Sequence, residues 1–320
     1  MKTKAILAAI VVIVLGVGAW AMLGGGSSVK VELVPAWQVT PPSLYTADMQ
    51  VEPFVSWAPD SRSLLFAGAG SKSYRNRIYM WKLGEKQVKP VVDGTSPNFI
   101  DSDTFIYLRT NLPHALMKYS LSSGKEEEIA QNIKTSEFWS EVNYLTYNPE
   151  HKSIILGLSK LSPYYNPGCQ EFDLTGKLIG AYRLIKDDAV LDASWEPKGS
   201  RSVAVVGSET APAQELRLGR EGKEAEGAVV ATGSIGAVAW SPNGRLIAYG
   251  DGVNVNVLNP ETHKTVTVAR FHAVPPNSTT CVRRLSWSPD SNSLAALDLV
   301  MDDTGGYPLI YVLDMSKLNL

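Results

Sequence analysis

Four histidines, His114, His151, His263 and His272, carry most of the chain's capacity for proton or metal chemistry near neutral pH. None falls at a spacing such as H-E-x-x-H that would seat two ligands on one helix face. No G-x-S-x-G elbow occurs, so the sequence offers no nucleophile on a strand-to-helix turn. Gly68 to Ser73 (GAGSKS) has the composition of a phosphate loop, but lacks the G-K-S/T order and a following helix. Asp302, Asp303 and Thr304, beside Gly305 and Gly306, gather oxygen ligands of the kind a calcium ion takes. A solvated glycine turn is the simpler reading of that cluster. The expectation is therefore no catalytic residue, no cofactor and no metal, with Asp302 and Asp303 as weak candidates.

Aromatic residues offer a different chemistry. Tyr74, Phe138, Trp139, Tyr164, Tyr165 and Tyr307 lie in or beside polar, glycine- and proline-rich segments, near Arg75, Arg77 and the Asp302/Asp303 pair. Exposed rings flanked by both signs of charge suit a protein or glycan surface. The competing reading folds each ring back over its own loop. The long segments concerned are 68–76, 158–168, 271–280 and 298–308, with shorter neighbours at Pro113 and His114 and at Phe138 and Trp139. What can hold so many loops together is decided by the elements between them.

Those elements repeat. Val238 to Tyr249 (VAWSPNGRLIAY) reads as two apolar strands joined by a tight turn, in which Pro242 presets φ, Asn243 tolerates a left-handed backbone and Gly244 takes positive φ freely. The same hairpin returns at Trp57/Pro59/Asp60, Tyr147/Pro149, Trp195/Pro197 and Trp287/Pro289/Asp290, with an eroded copy at Phe99 to Leu108 that has Asp101 in place of proline. With Trp240 included, the aromatics at 57, 99, 147, 195, 240 and 287 define six units. A period of about 46 residues is that of a four-stranded propeller blade. Third strands follow (IYMWKL, ALMKYSL, QEFDL, QELRL, VNVNVL, LIYVLD), then fourth strands in five units (KPVVD, EEEIA, KLIGAYRL, GAVVA, KTVTVA). The sixth unit lacks a fourth strand, and an open third strand invites aggregation. Val29 to Val34 (VKVELV) is the expected replacement. The rings at 57, 147, 195, 240 and 287 are expected to pack between blades rather than touch a ligand. Glu126 to Glu128 reads as a charged edge that deters sheet addition.

With its W-x-P-D/N-G/S hairpins, I-Y-x-x-x-L third strands and six units, residues 29–320 resemble the TolB-like, WD-repeat-like β-propellers. The resemblance implies an all-β, six-bladed propeller and, by analogy, scaffolding in envelope complexes. Some lyases of the wider fold group hold a central metal with histidines, which keeps a polysaccharide lyase or hydrolase at the channel mouth as an alternative. A propeller sensor domain of a membrane complex is another.

Lys2 and Lys4 precede nineteen uncharged residues, Ala5 to Leu23. A helix of that length rises ~28 Å, enough to cross a bilayer. The expectation is a cytoplasmic tip at 1–4, a signal-anchor helix at 5–23, a Gly/Ser tether at 24–28 and an extracytoplasmic propeller at 29–320. Cleavage after Ala21 would instead release the propeller. Taking Lys2 and Lys4 from the 30 basic residues leaves 28 against 32 acidic, a net −4 for the propeller. No basic face for nucleic acid is implied, and Arg75 with Arg77 and Arg283 with Arg284 read as solvated surface. Cys169 and Cys281 fall in opposite parts of the ring and are expected to stay unpaired. The expected role is non-catalytic binding of a protein or envelope polymer through the variable loop face.

Overall fold

The computed structural model describes residues 30–31, 36–38, 49–50, 54–70, 76–85, 87–109, 115–131, 142–148, 150–158, 168–183, 189–207, 213–220, 227–271, 279–302, 305–318 and 320. Two short strands lead, β1 (Lys30–Val31) and β2 (Ala36–Gln38). In the first sheet β3 (Met49–Gln50) and β4 (Val55–Trp57) both pair with β5 (Ser63–Gly70), followed by β6 (Asn76–Lys82) and β7 (Lys89–Asp93). The second sheet takes β8 (Thr95–Phe99), β9 (Thr104–Arg109), β10 (Ala115–Ser120) and β11 (Glu126–Gln131). The third takes β12 (Val142–Asn148), β13 (Ser153–Leu158), β14 (Gly168–Asp173) and β15 (Leu178–Arg183). The fourth takes β16 (Ala189–Trp195), β17 (Arg201–Gly207), β18 (Gln214–Arg220) and β19 (Ala228–Gly233). The fifth takes β20 (Ile235–Trp240), β21 (Ile247–Asp251), β22 (Asn254–Leu258) and β23 (Thr265–Arg270). The sixth takes β24 (Thr279–Trp287), β25 (Ser293–Asp302) and β26 (Gly305–Asp314). The result is an all-β propeller of six sheets whose consecutive strands pair antiparallel.

Each sheet buries its apolar faces against its neighbours, so the core is six clusters at six interfaces. Trp57 packs with Ala295, Leu297 and Ile310 of the sixth sheet. Trp195 meets Ile155 of the third, Trp240 meets Val203 and Val205 of the fourth, and Trp287 meets Ala237, Ala239 and Val257 of the fifth. Tyr147 lies half-buried against Ile106, Leu108 and Leu116 of the second sheet, and Phe99 against Leu65 and Ile78 of the first. Each ring thus faces the preceding blade. Polar groups pin the contacts: the Trp57 indole N–H donates to Ser286 O at 2.9 Å, and that of Trp287 to Ala239 O at 3.1 Å.

The turns after the rings at 57, 99, 147, 240 and 287 are held by side-chain acceptors, and the turn after Trp195 carries a Glu196–Arg201 ion pair. Asp60 Oδ1 accepts the N–H groups of Arg62 and Ser63, and Asn243 Oδ1 accepts that of Arg245. The next position is left-handed, φ 76° at Gly244, 53° at Ser61 and 59° at Ser291. In the second sheet Asp101 does not stand in for proline. It accepts from the N–H groups of Asp103 and Thr104, the task of Asp60, in a turn one residue shorter.

Ala36–Gln38 lies antiparallel on β26, with Ala36 opposite Leu313 and Gln38 opposite Tyr311. Of the expected closing strand, Val29 to Val34, only Lys30–Val31 falls among the described residues, and it runs parallel along β23, opposite Val266 and Thr267. Pro35 separates the two strands, and a partner only three residues long carries no pattern of its own. Cys281 carries no disulfide. Residues 5–23 lie outside the described residues.

Candidate functional site

The inner strands β4, β8, β12, β16, β20 and β24 ring a central cavity of about 580 Å³. Its wall on these strands runs from the level of Phe54, Asp192 and Arg284 down to Pro59, Pro197, Pro242 and Pro289 in the hairpin turns. One residue before each aromatic ring, Ser56, Asn98, Thr146, Ser194 and Ser286 form a collar of small polar groups, interrupted by Ala239. Two of them also brace the next blade: Ser194 Oγ accepts from Trp240 N at 2.9 Å and Ser286 Oγ from Trp57 N at 3.3 Å.

Two residues further up, the symmetry breaks. The equivalent positions hold Phe54, Asp192, Ala237 and Arg284 in the first, fourth, fifth and sixth sheets. A β-bulge precedes three of them, placing an extra residue at Leu191, Gly236 and Arg283. Bulges re-aim the side chains beside them. Arg283 is consequently exposed while Arg284 turns inward. Asp192 and Arg284 meet across the fifth sheet, Oδ1 to Nη1 at 3.3 Å, with side chains 9% and 14% exposed. Ala237 and Ala239, having no bulk, leave room for that bridge. Asp192 Oδ2 also accepts from Val238 N at 2.9 Å and Oδ1 from Ala193 N at 3.1 Å. The Arg284 guanidinium carbon lies 4.8 Å from the Phe54 ring centroid, a cation–π contact. Burial pushes the Asp192 carboxyl above the ordinary range, partly offset by Arg284 and the two N–H groups.

Arg284 is thus not the solvated residue the sequence suggested. Its signal was present: opposite charges at one register of two otherwise apolar inner strands, AVLDASW and TTCVRRLSW. A charge there must either find a partner or stay in water.

The expected partner-binding residues are only partly described. Arg77 is the second residue of β6, half-exposed, and its Nε–H donates to Asp93 Oδ1 at 2.7 Å. Tyr307 lies on β26 opposite Val300, and Asp302 ends β25 opposite Gly305. Tyr74, Arg75, Phe138, Trp139, Tyr164, Tyr165, Asp303, His114, His272 and Pro149 lie outside the described residues. His151 and His263 sit in exposed turns. No group of three or more metal-ligating side chains occurs among the described residues.

The turns impose a pH dependence. Hydroxyls of Ser120, Thr175 and Ser316 hold the carboxyls of Asp103, Asp173 and Asp314, respectively, below the usual range, assisted by backbone N–H groups. A carboxylate whose folded pKa is depressed adds stability above its unfolded pKa, ~4, and loses it as pH falls through the folded value. Asp192, shifted upward, acts with the opposite sign. The urea midpoint is expected to drop between pH 5 and pH 3. Replacing Asp103 and Asp173 by Asn keeps an acceptor in each turn and should flatten that drop. An unchanged slope would show that the turn carboxylates do not drive it.

No family model matches the chain, and no curated protein matches it. Solved structures do. TolB from Acinetobacter baumannii shares 16% identity at a TM-score of 0.54, covering 79% of this chain and 64% of that one. An oligogalacturonate lyase from Vibrio parahaemolyticus shares 16% at 0.53, covering 91% and 99%. Hydrazine synthase from Kuenenia stuttgartiensis shares 12% at 0.51, covering 88% and 80%. The chain therefore spans under two thirds of the TolB chain. At these identities the likeness is one of fold, and the fold is a TolB-like β-propeller.

Proposed function

We propose that the chain is an exported, membrane-tethered propeller that binds a protein or envelope polymer through its variable loop face without catalysing a reaction. The observation that carries this is the contrast between the two ends of the ring. At one end the turns after the rings are short, and those of the first, second, third, fifth and sixth sheets are each fixed by a side-chain acceptor. At the other end leave the connections 71–75, 110–114, 132–141, 159–167, 184–188, 208–212, 272–278 and 303–304, of unequal length and composition, with Tyr74, Trp139, Tyr164 and Tyr165 among them. Unequal loops on a repeated scaffold are where binding specificity concentrates. Both Asp192 oxygens are engaged by Arg284 and backbone N–H groups, which also favours binding over acid–base work in the cavity.

Residues 5–23 supply the anchor in this reading, with 1–4 in the cytoplasm and 24–28 as tether. Ala36–Gln38 fastens the ring by completing the sixth sheet. Changing Tyr164 and Tyr165 together to Ala should leave the melting temperature within a few degrees yet abolish partner capture in a pull-down with the anchored protein. A large fall in melting temperature would mean these rings are core.

The lyase reading draws on the oligogalacturonate lyase neighbour, which matches almost end to end. It predicts a stoichiometric metal on residues 29–320 that is lost when His114 and His272 are both changed to Ala. The binding reading predicts none.

A further inference from the structure

Among the described residues, the exposed large hydrophobics are Leu178, Ile179 and Val229, at 50%, 49% and 47%. All three lie on outermost strands, β15 and β19, of adjacent blades. An outermost strand presents unpaired N–H and C=O groups, and proteins normally guard such edges. The outer strands of the first, second and fifth sheets are guarded. In β7, Pro90 removes a donor. In β11, Glu126, Glu127 and Glu128 add charge, and Tyr107 O–H, Lys118 and Arg109 pair with them. The edge of β23 is already covered, because β1 lies along it.

That last case shows what an edge of this ring accepts. β23 carries a bulge at Val268, and β1 pairs with the two residues before it, Val266 and Thr267. β15 carries the same bulge at Ile179, with Leu178 opposite Phe172 and Gly180 opposite Glu171. The equivalents of Val266 and Thr267 are therefore Lys177 and Leu178. Val266 and Val268 pack into the cluster between the fifth and sixth sheets, whereas their counterparts Lys177 and Ile179 are exposed.

We infer that the outer edge of β15, around Lys177 to Ile179, binds an extended peptide segment of a partner protein, apolar at its centre and acidic at its ends. Main-chain pairing supplies the affinity, and the side chains choose the sequence. Leu178 and Ile179 offer exposed apolar contacts at the edge of the strand. Lys177 precedes it and Arg183 closes it, opposite Gly168, with no charge between. A second copy of this chain fits badly, because antiparallel self-pairing sets Lys177 against Arg183 and parallel self-pairing sets like residues together. The Asp173 carboxylate does not compete for the peptide's place, being bound within its own turn by Thr175 and Lys177 N. β19 is preceded by a net acidic segment, Glu221, Lys223, Glu224 and Glu226, and no basic residue closes it. The site lies on the side of the ring and is independent of the loop-face reading.

The test uses the full chain and a fluorescein-labelled synthetic octapeptide of alternating valine and threonine between paired glutamates. Saturable binding is expected by anisotropy, with hydrogen-exchange protection gained at the β15 amides. Changing Leu178 and Ile179 together to Glu should weaken binding about tenfold or more, equivalent to ~1.4 kcal/mol. It should not lower the melting temperature, since both side chains are half in water. A peptide with lysine ends should weaken similarly, and the Tyr164/Tyr165 double variant should bind normally. Undiminished binding to the Leu178/Ile179 variant would overturn the site. So would protection at β19 or the cavity-lining strands, dimerisation through β15 without peptide, or absence of saturation at millimolar peptide.

Discussion

Asp192→Ala is expected to destabilise the propeller by ~3–5 kcal/mol, the cost of breaking a buried ion pair on one side. The substitution leaves Arg284 in the cavity wall with its counter-charge gone, and strips Val238 N of its acceptor. The intact pair need not be a net gain, because withdrawing both charges from water costs nearly what their attraction returns. The discriminating variant is therefore the double one, Asp192→Ala with Arg284→Met. It removes both charges and keeps an aliphatic chain against Phe54. Stability within about 1–2 kcal/mol of the parent is expected, less than the single change costs. The remaining deficit reflects Val238 N, which still lacks its acceptor. Urea unfolding of the four proteins gives the coupling energy directly. Equal losses in single and double variants would mean that Arg284 is satisfied without Asp192, and the bridge across the fifth sheet would lose its assigned role.

That bridge also marks where the sequence stopped being informative. The blades are legible because they are periodic: a ring, a proline and a turn residue recur, and strand lengths follow. The cavity is not periodic. Its character comes from four residues at one register, Phe54, Asp192, Ala237 and Arg284, which the repeat assigns no common type. A bulge decides that Arg284 faces inward and Arg283 outward, and a bulge is a matter of pairing register, set by β25 rather than by the residues of β24. The strand on the sixth sheet is hard to read for a related reason: Ala36–Gln38 is too short to carry a pattern, and its pairing is set by β26. In both places the deciding information lies in a neighbouring strand distant in sequence.

Trp240→Ala tests the periodic part. The indole is buried between the fourth and fifth sheets, its N–H donates to Gly244 O at 3.1 Å, and Arg201 lies over its ring. Truncation removes transfer energy and leaves a cavity in an interface with no other layer behind it, so a loss of ~3–5 kcal/mol is expected. Trp240→Phe keeps most of the apolar area and should cost clearly less, which separates volume from the single hydrogen bond. The consequence extends beyond one contact. In a closed ring each sheet buries its faces only against two neighbours, so weakening one interface frees both flanking blades from part of their support. Unfolding should nevertheless remain one transition, because a blade released at one interface exposes an apolar face that has no other cover. Fluorescence and far-ultraviolet circular dichroism followed through urea should coincide in the variant. Separated transitions would show that the blades on either side of Trp240 hold together without it, and the ring would then be a chain of semi-independent sheets.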